Sequence, residues 1–389
     1  MPSVAASAVA IPSSRLRELA EIAMELEGVL KLYFGESSIP TAPFIQQAAT
    51  KAMADGYTFY TSNGGLLSLR QALARYYAHL HGVTINPQSE IVVTASGGQA
   101  LNVAIRCVLD PGDEAIVLTP AWPNGSSIVA MANAKPVEIA QPLIGDRYGI
   151  DFNQMEKAVT PRTRLLIYTS PSNPLGWVAT VEEQQRLLDF ARRHKLWLLA
   201  DEVYERLWYS GTAAPSILKL ATRDDALIVT QSFSKSYCMT GWRVGWIVTR
   251  QDVAAKATQL NEFIISCAPS FAQRAAETAL AEGEESVASL VAKLKVNRDF
   301  CLNALAELPG VTVPRPDGAF YLFPKIEGLT DSFDFCKRFL LEKKVGLCPG
   351  VAFGEGGEGS IRICYASGME ILEPAMERFG KFLRVDCFS

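Results

Sequence analysis

A lysine in a run of small polar residues is the first candidate for chemistry in this chain. Residues 226–229 form an apolar, β-branched run that is typical of a buried strand, and Lys235 follows in the sequence Ser-Phe-Ser-Lys. A lysine at the carboxyl end of a buried strand faces the crevice where α/β sheets bind ligands. Partial desolvation lowers the pKa of its amine, which can then form a Schiff base with a carbonyl compound. The alternative is an ordinary surface lysine on a loop.

Two residues near this lysine carry groups that suit a phosphate. Ser232 offers a hydroxyl, and Arg243, in the sequence Gly-Trp-Arg-Val-Gly, offers a fork of N–H donors. The segment therefore combines a potentially reactive amine with donors for a phosphate group.

The elements that must hold these groups alternate between strands and helices. Strands are predicted at residues 90–94, 114–118, 164–168, 196–200, 226–229 and 245–249. Repeated strands with helices between them imply an α/β fold, with a largely parallel sheet that helices cover on both faces. The large domain is therefore expected to span residues 45–285.

The remaining segments predict a second, smaller domain of the α+β class. Long helices follow residue 250, and strands at 319–323 and 360–364 lie beside helices at 333–343 and 369–384. We expect this domain to comprise residues 286–389 and to be joined by the N-terminal segment at 1–44, so that both chain ends build it.

Polar or functional residue types recur after the predicted strands. They are Gly97 and Gly98, Trp122, Asn173, Asp201 with Tyr204, and Ser232 with Lys235. In a parallel sheet the carboxyl ends of the strands lie along one edge, so these residues can converge on one ligand. Taken singly, each has a structural alternative: Asp201 could cap a helix, and Trp122 could be ordinary core packing.

Composition excludes several classes of function. Hydrophobic residues make up 49% of the 389 residues and the net charge is −4, which argues against a nucleic-acid groove or a basic membrane-binding face. No apolar run is long enough for a transmembrane helix. The N-terminal stretch 1–11 lacks a basic start, so we expect a flexible arm rather than a signal peptide.

Cysteine and histidine usage favours a reducing compartment and no metal site. The eight cysteines form no CxxC pair, which is typical of buried thiols in a cytoplasmic protein. Of three histidines, His79 and His81 are predicted at an exposed helix end. Residues 354–359 match GxGxxG formally but run into a predicted strand, so no helix N-terminus would receive a pyrophosphate.

An amine, a carboxylate, a phenol, a flat aromatic ring and phosphate donors together fit pyridoxal phosphate. The cofactor needs a lysine for its aldehyde and an acid that keeps its ring nitrogen protonated. On these motifs the chain resembles the class I and II aminotransferases of fold-type I, which include the aspartate aminotransferases. The resemblance runs from about residue 12 to the C-terminus.

The resemblance implies roles around the cofactor ring. Lys235 matches the lysine bound to the aldehyde, and its freed amine would shuttle the substrate's proton. Asp201 matches the partner of the ring nitrogen. Tyr204 and Asn173 match the two partners of the ring oxygen, and Trp122 matches the ring that stacks on the pyridine.

The resemblance also implies a phosphate site and a shared dimer site. Backbone amides of Gly97 and Gly98 at a helix N-terminus would bind the phosphate together with Ser232 and Arg243. Tyr60 matches a tyrosine that reaches the phosphate of the neighbouring subunit, which implies a homodimer. On its own, a loop tyrosine needs no function.

For the substrate, the resemblance points to a carboxylate clamp. Arg362, in Ile-Arg-Ile, matches the arginine that binds the α-carboxylate bidentately, with Gly35 and Asn173 beside it. An edge-strand charge is the alternative for this arginine.

Two departures from the family pattern concern substrate choice. Gly98 stands where aspartate-using relatives often have a lysine, which argues against strict dicarboxylate specificity. Arg15, in Ser-Arg-Leu-Arg, is an unexpected charge near the expected substrate entrance. It either faces the substrate or, as we favour, is a solvent-exposed residue in the first helical turn.

Together these observations predict a cytoplasmic, homodimeric aminotransferase. It would exchange amino groups between amino acids and 2-oxo acids by a ping-pong mechanism. Within the same fold, a lyase, a β-eliminating enzyme or a cyclase is the alternative, and a non-catalytic effector-binding module is another.

Overall fold

The computed structural model describes residues 3–9, 11 and 13–386. Of the predicted flexible arm at 1–11, residues 1, 2 and 10 lie outside the described residues, as does Cys387 among the predicted thiols. The described part of the arm contains one helical turn, Ala6–Val9. No helix in the described ranges is both long and apolar enough to cross a bilayer.

Strands and helices alternate through most of the chain. The strands are β1 (Leu30–Lys31), β2 (Ile91–Thr94), β3 (Glu114–Thr119), β4 (Lys135–Ala140), β5 (Leu143–Ile144), β6 (Arg147–Tyr148), β7 (Thr163–Thr169), β8 (Trp197–Asp201), β9 (Leu227–Ser232), β10 (Gly245–Thr249), β11 (Val311–Thr312), β12 (Tyr321–Leu322), β13 (Lys325–Ile326), β14 (Val345–Gly346), β15 (Cys348–Pro349) and β16 (Ile361–Cys364). The helices are α1 (Ala6–Val9), α2 (Arg15–Met24), α3 (Pro43–Ala54), α4 (Leu67–His81), α5 (Gly97–Val108), α6 (Asn124–Met131), α7 (Phe152–Ala158), α8 (Val181–His194), α9 (Gln251–Ile264), α10 (Ser270–Glu282), α11 (Glu284–Ala306), α12 (Ser332–Lys343) and α13 (Met369–Asp386).

A seven-stranded sheet in the order β2-β10-β9-β8-β7-β3-β4 forms the centre of the molecule. The neighbours from β9 to β4 are parallel, and β10 is antiparallel to both β2 and β9. The prediction of a largely parallel sheet is therefore confirmed. The prediction missed β4, because Lys135, Pro136 and Glu138 break the apolar pattern of this edge strand.

The sheet is apolar on both faces because its strands are buried on both sides. Along β7, Leu166 and Tyr168 pack in one cluster while Leu165 and Ile167 pack in another. Successive side chains of a strand point to opposite faces, so the two clusters lie on opposite sides of the sheet. Helices cover both of them.

A smaller α+β unit is built by both ends of the chain. Its core joins Leu19 and Leu32 to residues of α11, α12, α13, β12 and β16. The predicted boundary at 285/286 falls in the first turn of α11, and the exact domain limits stay predictions.

The N-terminal elements are short. Helix α2 begins after its N-cap Ser14, whose Oγ accepts a hydrogen bond from the Arg17 backbone N–H at 3.3 Å, and it ends at Met24. Strand β1 has only two residues, which pair in parallel with β14. From Tyr33 onward the chain turns towards the carboxyl edge of the central sheet.

The glycine-rich stretch 354–359 leads into β16 and not into a helix. It follows a 3₁₀ turn at Gly350–Phe353. Glu138 of the edge strand β4 accepts a hydrogen bond from the Glu355 backbone N–H at 2.8 Å. The interpretation of this stretch as a false dinucleotide motif is consistent with that geometry.

Candidate active site

A cavity of about 270 Å³ opens at the carboxyl edge of the central sheet, where β2, β3, β7, β8 and β9 end. Every site residue predicted from the sequence lines it except Tyr60. These residues are Gly35, Gly97, Gly98, Trp122, Asn173, Asp201, Tyr204, Ser232, Lys235, Arg243 and Arg362. Parallel strands bring the residues that follow them to one edge, which explains why groups so distant in sequence meet.

The Lys235 side chain is partly buried and lines this cavity. It donates a hydrogen bond to the backbone carbonyl of Gly35 and lies 5.7 Å from the centre of the Tyr204 ring. Burial lowers the pKa of Lys235 from 10.5 to about 8, and the positive charges of Arg362 and Arg243 act in the same direction. A larger fraction of neutral, nucleophilic amine is therefore present near neutral pH.

Asp201, the last residue of β8, is a buried carboxyl. The backbone N–H of Val203 and the hydroxyl of Thr230 both donate to its Oδ1 at 3.4 Å. Burial raises the pKa of Asp201 from 3.8 to about 7, against the effect of these hydrogen bonds and of the Lys235 charge. Within the described part of the chain, no cation makes an ion pair with it, so a positively charged N–H of a ligand would stabilise the carboxylate.

Arg362 is the most deeply buried cation of the site. Its Nη1 donates to Asn173 Oδ1 at 2.9 Å, its Nη2 donates to the Tyr33 carbonyl, and the guanidinium stacks on Tyr321 at 4.6 Å. Its Nε has no hydrogen-bond partner. No acidic side chain of the described residues forms an ion pair with Arg362, which makes it a binding group for a carboxylate.

Tyr204 and Asn173 lie side by side in this cavity. Asn173 Nδ2 donates to the Tyr204 hydroxyl at 3.4 Å, and that hydroxyl shares a 2.8 Å hydrogen bond with Tyr321. Burial raises the pKa of the Tyr204 phenol well above 10, so it stays a protonated donor. Gly35 is required nearby, because an added Cβ would lie 2.5 Å from the Tyr321 hydroxyl oxygen.

A second group of lining residues forms a phosphate-sized cradle. Helix α5 begins at Gly97, with Ser96 as its N-cap, so its first backbone N–H groups point into the cavity edge. An added Cβ on Gly97 would lie 3.1 Å from the Ser232 Cβ. Arg243 joins this edge because β10 runs antiparallel, which places the beginning of β10 beside the end of β9.

Gly98 leaves open space beside Trp122. A Cβ added at Gly98 would lie 3.7 Å from the Trp122 ring, an ordinary contact distance. A methyl group at this position would therefore be accommodated without displacing the tryptophan.

The structure separates Arg15 from the cavity and brings Arg17 to it. The Arg15 side chain is half-exposed, pairs with Glu18 at 3.1 Å and lies over the Phe333 ring at 4.8 Å. Arg17 lines the cavity together with Leu16. The geometry supports the favoured interpretation of Arg15 as an exposed first-turn residue.

Several lining residues were missed by the sequence analysis. They are Leu16, Arg17, Phe34, Ser96, Thr169, Val203, Ser234, Thr240 and Tyr321. Four of the nine, Phe34, Ser96, Val203 and Ser234, directly adjoin a predicted residue, and that adjacency was the available signal. For Tyr321 there was no such signal in the sequence, because this residue comes from an apolar strand of the smaller unit.

Tyr60 lies outside this cavity and is 87% exposed. Its neighbour Phe59 is 80% exposed, and Phe263 at the end of α9 is 85% exposed. The two segments contact each other, because Cys267 Sγ accepts a hydrogen bond from the Thr61 backbone N–H at 3.3 Å. They form an exposed aromatic face, defined here by Phe59, Tyr60 and Phe263.

The prediction for His81 was wrong. His79 is exposed, but His81 is buried and its Nε2 contacts a carboxylate oxygen of Glu205. His81 lies four residues after Tyr77 and eight after Leu73, both buried, so it continues the inward stripe of α4. Helical spacing was the signal that could have identified it.

Three comparisons with known proteins agree on the family. The family model described as aminotransferase class I and II matches residues 27–379. The aspartate aminotransferase of Pyrococcus horikoshii is 34% identical over 384 residues, which are 98% of this chain and 97% of that protein. The aromatic-amino-acid aminotransferase 2 of Thermococcus litoralis is 34% identical over 375 residues, 95% of this chain and 96% of that one. The crystal structure of aspartate aminotransferase from Thermotoga maritima is 32% identical, with a TM-score of 0.91 over 98% of this chain and 100% of that one.

Proposed function

This chain belongs to the class I and II aminotransferase family, and we propose that the cavity around Lys235 is its active site. The enzyme is a pyridoxal-phosphate-dependent aminotransferase, which moves an amino group between an amino acid and a 2-oxo acid. Elimination, cyclisation and a non-catalytic role are not favoured, because the relatives are named aminotransferases. The observation that carries the assignment of the site is the presence of a partly buried amine, a buried carboxyl and a buried guanidinium in one cavity.

The residues of the cavity fit the cofactor in three places. The Lys235 amine suits the aldehyde, and the amides at the start of α5 suit the phosphate. The Asp201 carboxyl, which forms no ion pair with the described residues, suits a protonated ring nitrogen. Ser232 and Arg243 complete the phosphate site in this proposal. When bound, pyridoxal phosphate supplies an electron sink for the substrate's α-carbon.

The protein's own groups then orient the substrate and move its proton. Arg362 binds the α-carboxylate, with its guanidinium held in place by Asn173 and by stacking on Tyr321. Lys235 Nζ, with its lowered pKa, takes the proton from the α-carbon. Asn173 and Tyr204 would hold the cofactor's ring oxygen by hydrogen bonds, and Trp122 would pack on the ring.

The substrate range is proposed to include both apolar and dicarboxylic amino acids. Leu16, Phe34 and Trp122 give the cavity an apolar wall, and no lysine occupies position 98. Arg17 lines the same cavity, and its guanidinium makes no ion pair with the described residues, so it can meet a second carboxylate. The aspartate and aromatic-amino-acid aminotransferases among the relatives support this dual range.

The assembly is proposed to be a homodimer in which Tyr60 reaches the partner's phosphate site. The exposed aromatic face supports a partner surface, because a monomer gains nothing from large aromatic side chains in water. A cytoplasmic location is also proposed, and the seven described cysteines, all free thiols, support it.

The proposal is tested by spectroscopy and by chemical trapping. Adding an amino acid alone to the purified holoenzyme should shift the absorption of the bound cofactor in one stoichiometric step, and turnover should require a 2-oxo acid. In a separate sample to which no amino acid has been added, borohydride reduction should fix the cofactor on the peptide that contains Lys235. Sustained turnover without a 2-oxo acid, or an unmodified Lys235, would reject the proposal.

A further inference from the structure

A chain of buried polar side chains runs behind the cavity without lining it. Its members are His81 at the end of α4, Glu205 after β8 and Gln231 at the end of β9. Glu205 directly follows Tyr204, and Gln231 directly precedes Ser232. These buried side chains therefore belong to backbone segments that also carry two of the proposed site residues, Tyr204 and Ser232.

Glu205 is the centre of this chain. One carboxylate oxygen contacts His81 Nε2, and the other accepts hydrogen bonds from the Tyr76 hydroxyl at 3.2 Å and from Gln231 Nε2. The His81 and Glu205 side chains are 3% and 1% exposed. Removing one partner of a buried charged group is strongly unfavourable, so these contacts fix the relative position of three elements.

The Gln231 side chain links Glu205 to the backbone of Ser232. Its Nε2 is committed to Glu205, and its Oε1 accepts a hydrogen bond from the Ser232 backbone N–H at 3.1 Å. Reversing the amide would break both contacts, so the orientation of the amide depends on the carboxylate.

Strand pairing explains why Ser232 needs this side chain. The parallel pairing of β8 with β9 ends at Asp201 and Thr230, where the Glu202 N–H bonds the Thr230 carbonyl at 3.0 Å. In a continued ladder the next bond would come from the Ser232 N–H. After Glu202 the backbone no longer pairs with β9. Gln231 Oε1 therefore accepts the hydrogen bond of the Ser232 N–H in place of a backbone carbonyl.

The charge of the pair is consistent with a permanent contact. Burial lowers the pKa of His81, but the hydrogen bond and charge of Glu205, together with Glu202, outweigh it and raise that pKa overall, against Lys219. The imidazolium is thus favoured beside the carboxylate. Arg206 is turned to Glu284 at 2.6 Å instead, so it does not neutralise Glu205.

We propose that Glu205, held by His81, is a positioning residue that acts through Gln231 to hold Ser232 in place for the phosphate of the cofactor. This inference rests on the proposed function, in which Ser232 binds that phosphate. None of the three residues lines the cavity, so their effect on the ligand is indirect.

The test compares a ligand that has the phosphate with one that lacks it. Gln231→Met keeps the length of the side chain but removes both amide contacts. The full-length chain is titrated with pyridoxal phosphate and, separately, with pyridoxal, and the dissociation constants are read from the absorption. We expect the constant for pyridoxal phosphate to rise about tenfold and the constant for pyridoxal to change less than about twofold.

Gln184→Met is the matched control, because Gln184 on α8 is equally buried and its Nε2 donates to the Pro215 carbonyl at 2.8 Å, away from the cavity. It should leave both constants unchanged. Three results would overturn the inference: an equal loss of affinity for both ligands in Gln231→Met, no loss of affinity for either, or a similar loss of affinity in the control variant.

A second variant covers the case in which Gln231→Met does not fold. Glu205→Gln keeps the shape of the carboxylate and removes its charge, and it should weaken binding of pyridoxal phosphate selectively, by about tenfold. If both single variants fold, the protein that carries both substitutions should bind pyridoxal phosphate no more weakly than the weaker single variant, because both act in one chain of contacts. Additive losses would overturn the inference, whereas a wild-type protein that binds no pyridoxal phosphate would instead overturn the proposed function.

Discussion

At the scale of single residues, the cavity is defined by charges that the protein buries without neutralising. Asp201 and Arg362 have no ion-pair partner among the residues that the structure describes, and the Lys235 amine contacts a neutral carbonyl. Burial disfavours each charged form, which shifts the pKa of Asp201 upwards and that of Lys235 downwards. Such groups gain most from a ligand of opposite charge.

The raised pKa of Asp201 predicts a pH-dependent stability. The folded protein without cofactor keeps this proton up to about pH 7, whereas an unfolded aspartate releases it near pH 3.8. Between these values the folded state binds more protons, so the free energy of unfolding falls as the pH rises. Asp201→Asn should remove this fall, which is worth roughly 4 kcal/mol at most. Urea unfolding of both proteins without cofactor, from pH 4 to pH 8, measures it, and a difference that is constant with pH would contradict the prediction.

The carboxylate clamp predicts a defect in substrate binding for Arg362→Lys. A lysine cannot make the two parallel hydrogen bonds of a guanidinium, so KM for amino acids and for 2-oxo acids should rise roughly 10- to 100-fold. Arg298→Lys is the control, because Arg298 is equally buried, on α11, and donates to the Pro316 carbonyl outside the cavity. Steady-state kinetics of both variants, with unfolding curves, distinguish the two effects. Unchanged KM values for Arg362→Lys would exclude the clamp.

Substitutions of the two arginines of α2 are expected to differ in their effect on substrate choice. Arg17→Ala should raise KM for aspartate and glutamate about tenfold and leave KM for phenylalanine unchanged, since only a second carboxylate meets this cation. Arg15→Ala should change neither, because that side chain pairs with Glu18 outside the cavity. The amino-donor profiles of the two variants provide the measurement. A selective effect of Arg15→Ala would reverse the assignment.

At the scale of elements, the site depends on how closely α5 approaches the end of β9 and the beginning of β10. A Cβ added at Gly245 would lie 2.5 Å from the Gly97 backbone nitrogen and 2.7 Å from the Gln231 carbonyl oxygen. Backbone atoms cannot move aside as flexible side chains do. Glycine at position 245 therefore allows the start of α5 to lie against the end of β9 and the beginning of β10, next to the loop that carries Lys235.

This packing predicts different outcomes for two glycines of the same region. Gly245→Ala should lower the free energy of unfolding by about 3 kcal/mol or more and weaken cofactor retention, because the strands must separate. Gly98→Ala should stay within about 1 kcal/mol of wild type, since its nearest neighbours would be 3.7 Å away. Chemical denaturation of both holoenzymes measures the difference. Equal stability of the two variants would show that the close approach is not required.

At the scale of the whole molecule, the exposed aromatic face suggests that one chain does not complete the site. Phe59, Tyr60 and Phe263 present large apolar surfaces, and Tyr60 is the single predicted site residue that does not line the cavity of its own chain. A shared site explains both observations.

Subunit complementation tests the shared site. Tyr60→Ala and Lys235→Ala enzymes should each be strongly impaired, but mixing them under exchange conditions should restore part of the activity. In a heterodimer the partner that carries Lys235 receives Tyr60 from the other chain, so one site is intact. Sedimentation should give twice the 42.4 kDa mass of one chain for wild type. If the mixture is no more active than its components, Tyr60 does not act across the interface.

Much of the site could be predicted because its residues follow strands. Asn173, Asp201 and Lys235 each come after an apolar run that only a buried strand explains, and parallel strands bring such residues to one edge. Strand periodicity and chain order are local properties, so the amino-acid sequence by itself determined the α/β class and most of the lining residues. The cofactor followed from the types of these residues and from the family resemblance that they carry.

Other features were decided only by tertiary packing. The antiparallel direction of β10 places Arg243 at the cavity, and the rotation of α2 places Arg17 rather than Arg15 there. The burial of His81 and the arrival of Tyr321 from the smaller unit likewise depend on partners distant in sequence. Local patterns specify which face of an element is apolar, but the segment that covers this face is selected by packing across the whole chain, and that selection brings these side chains to the site.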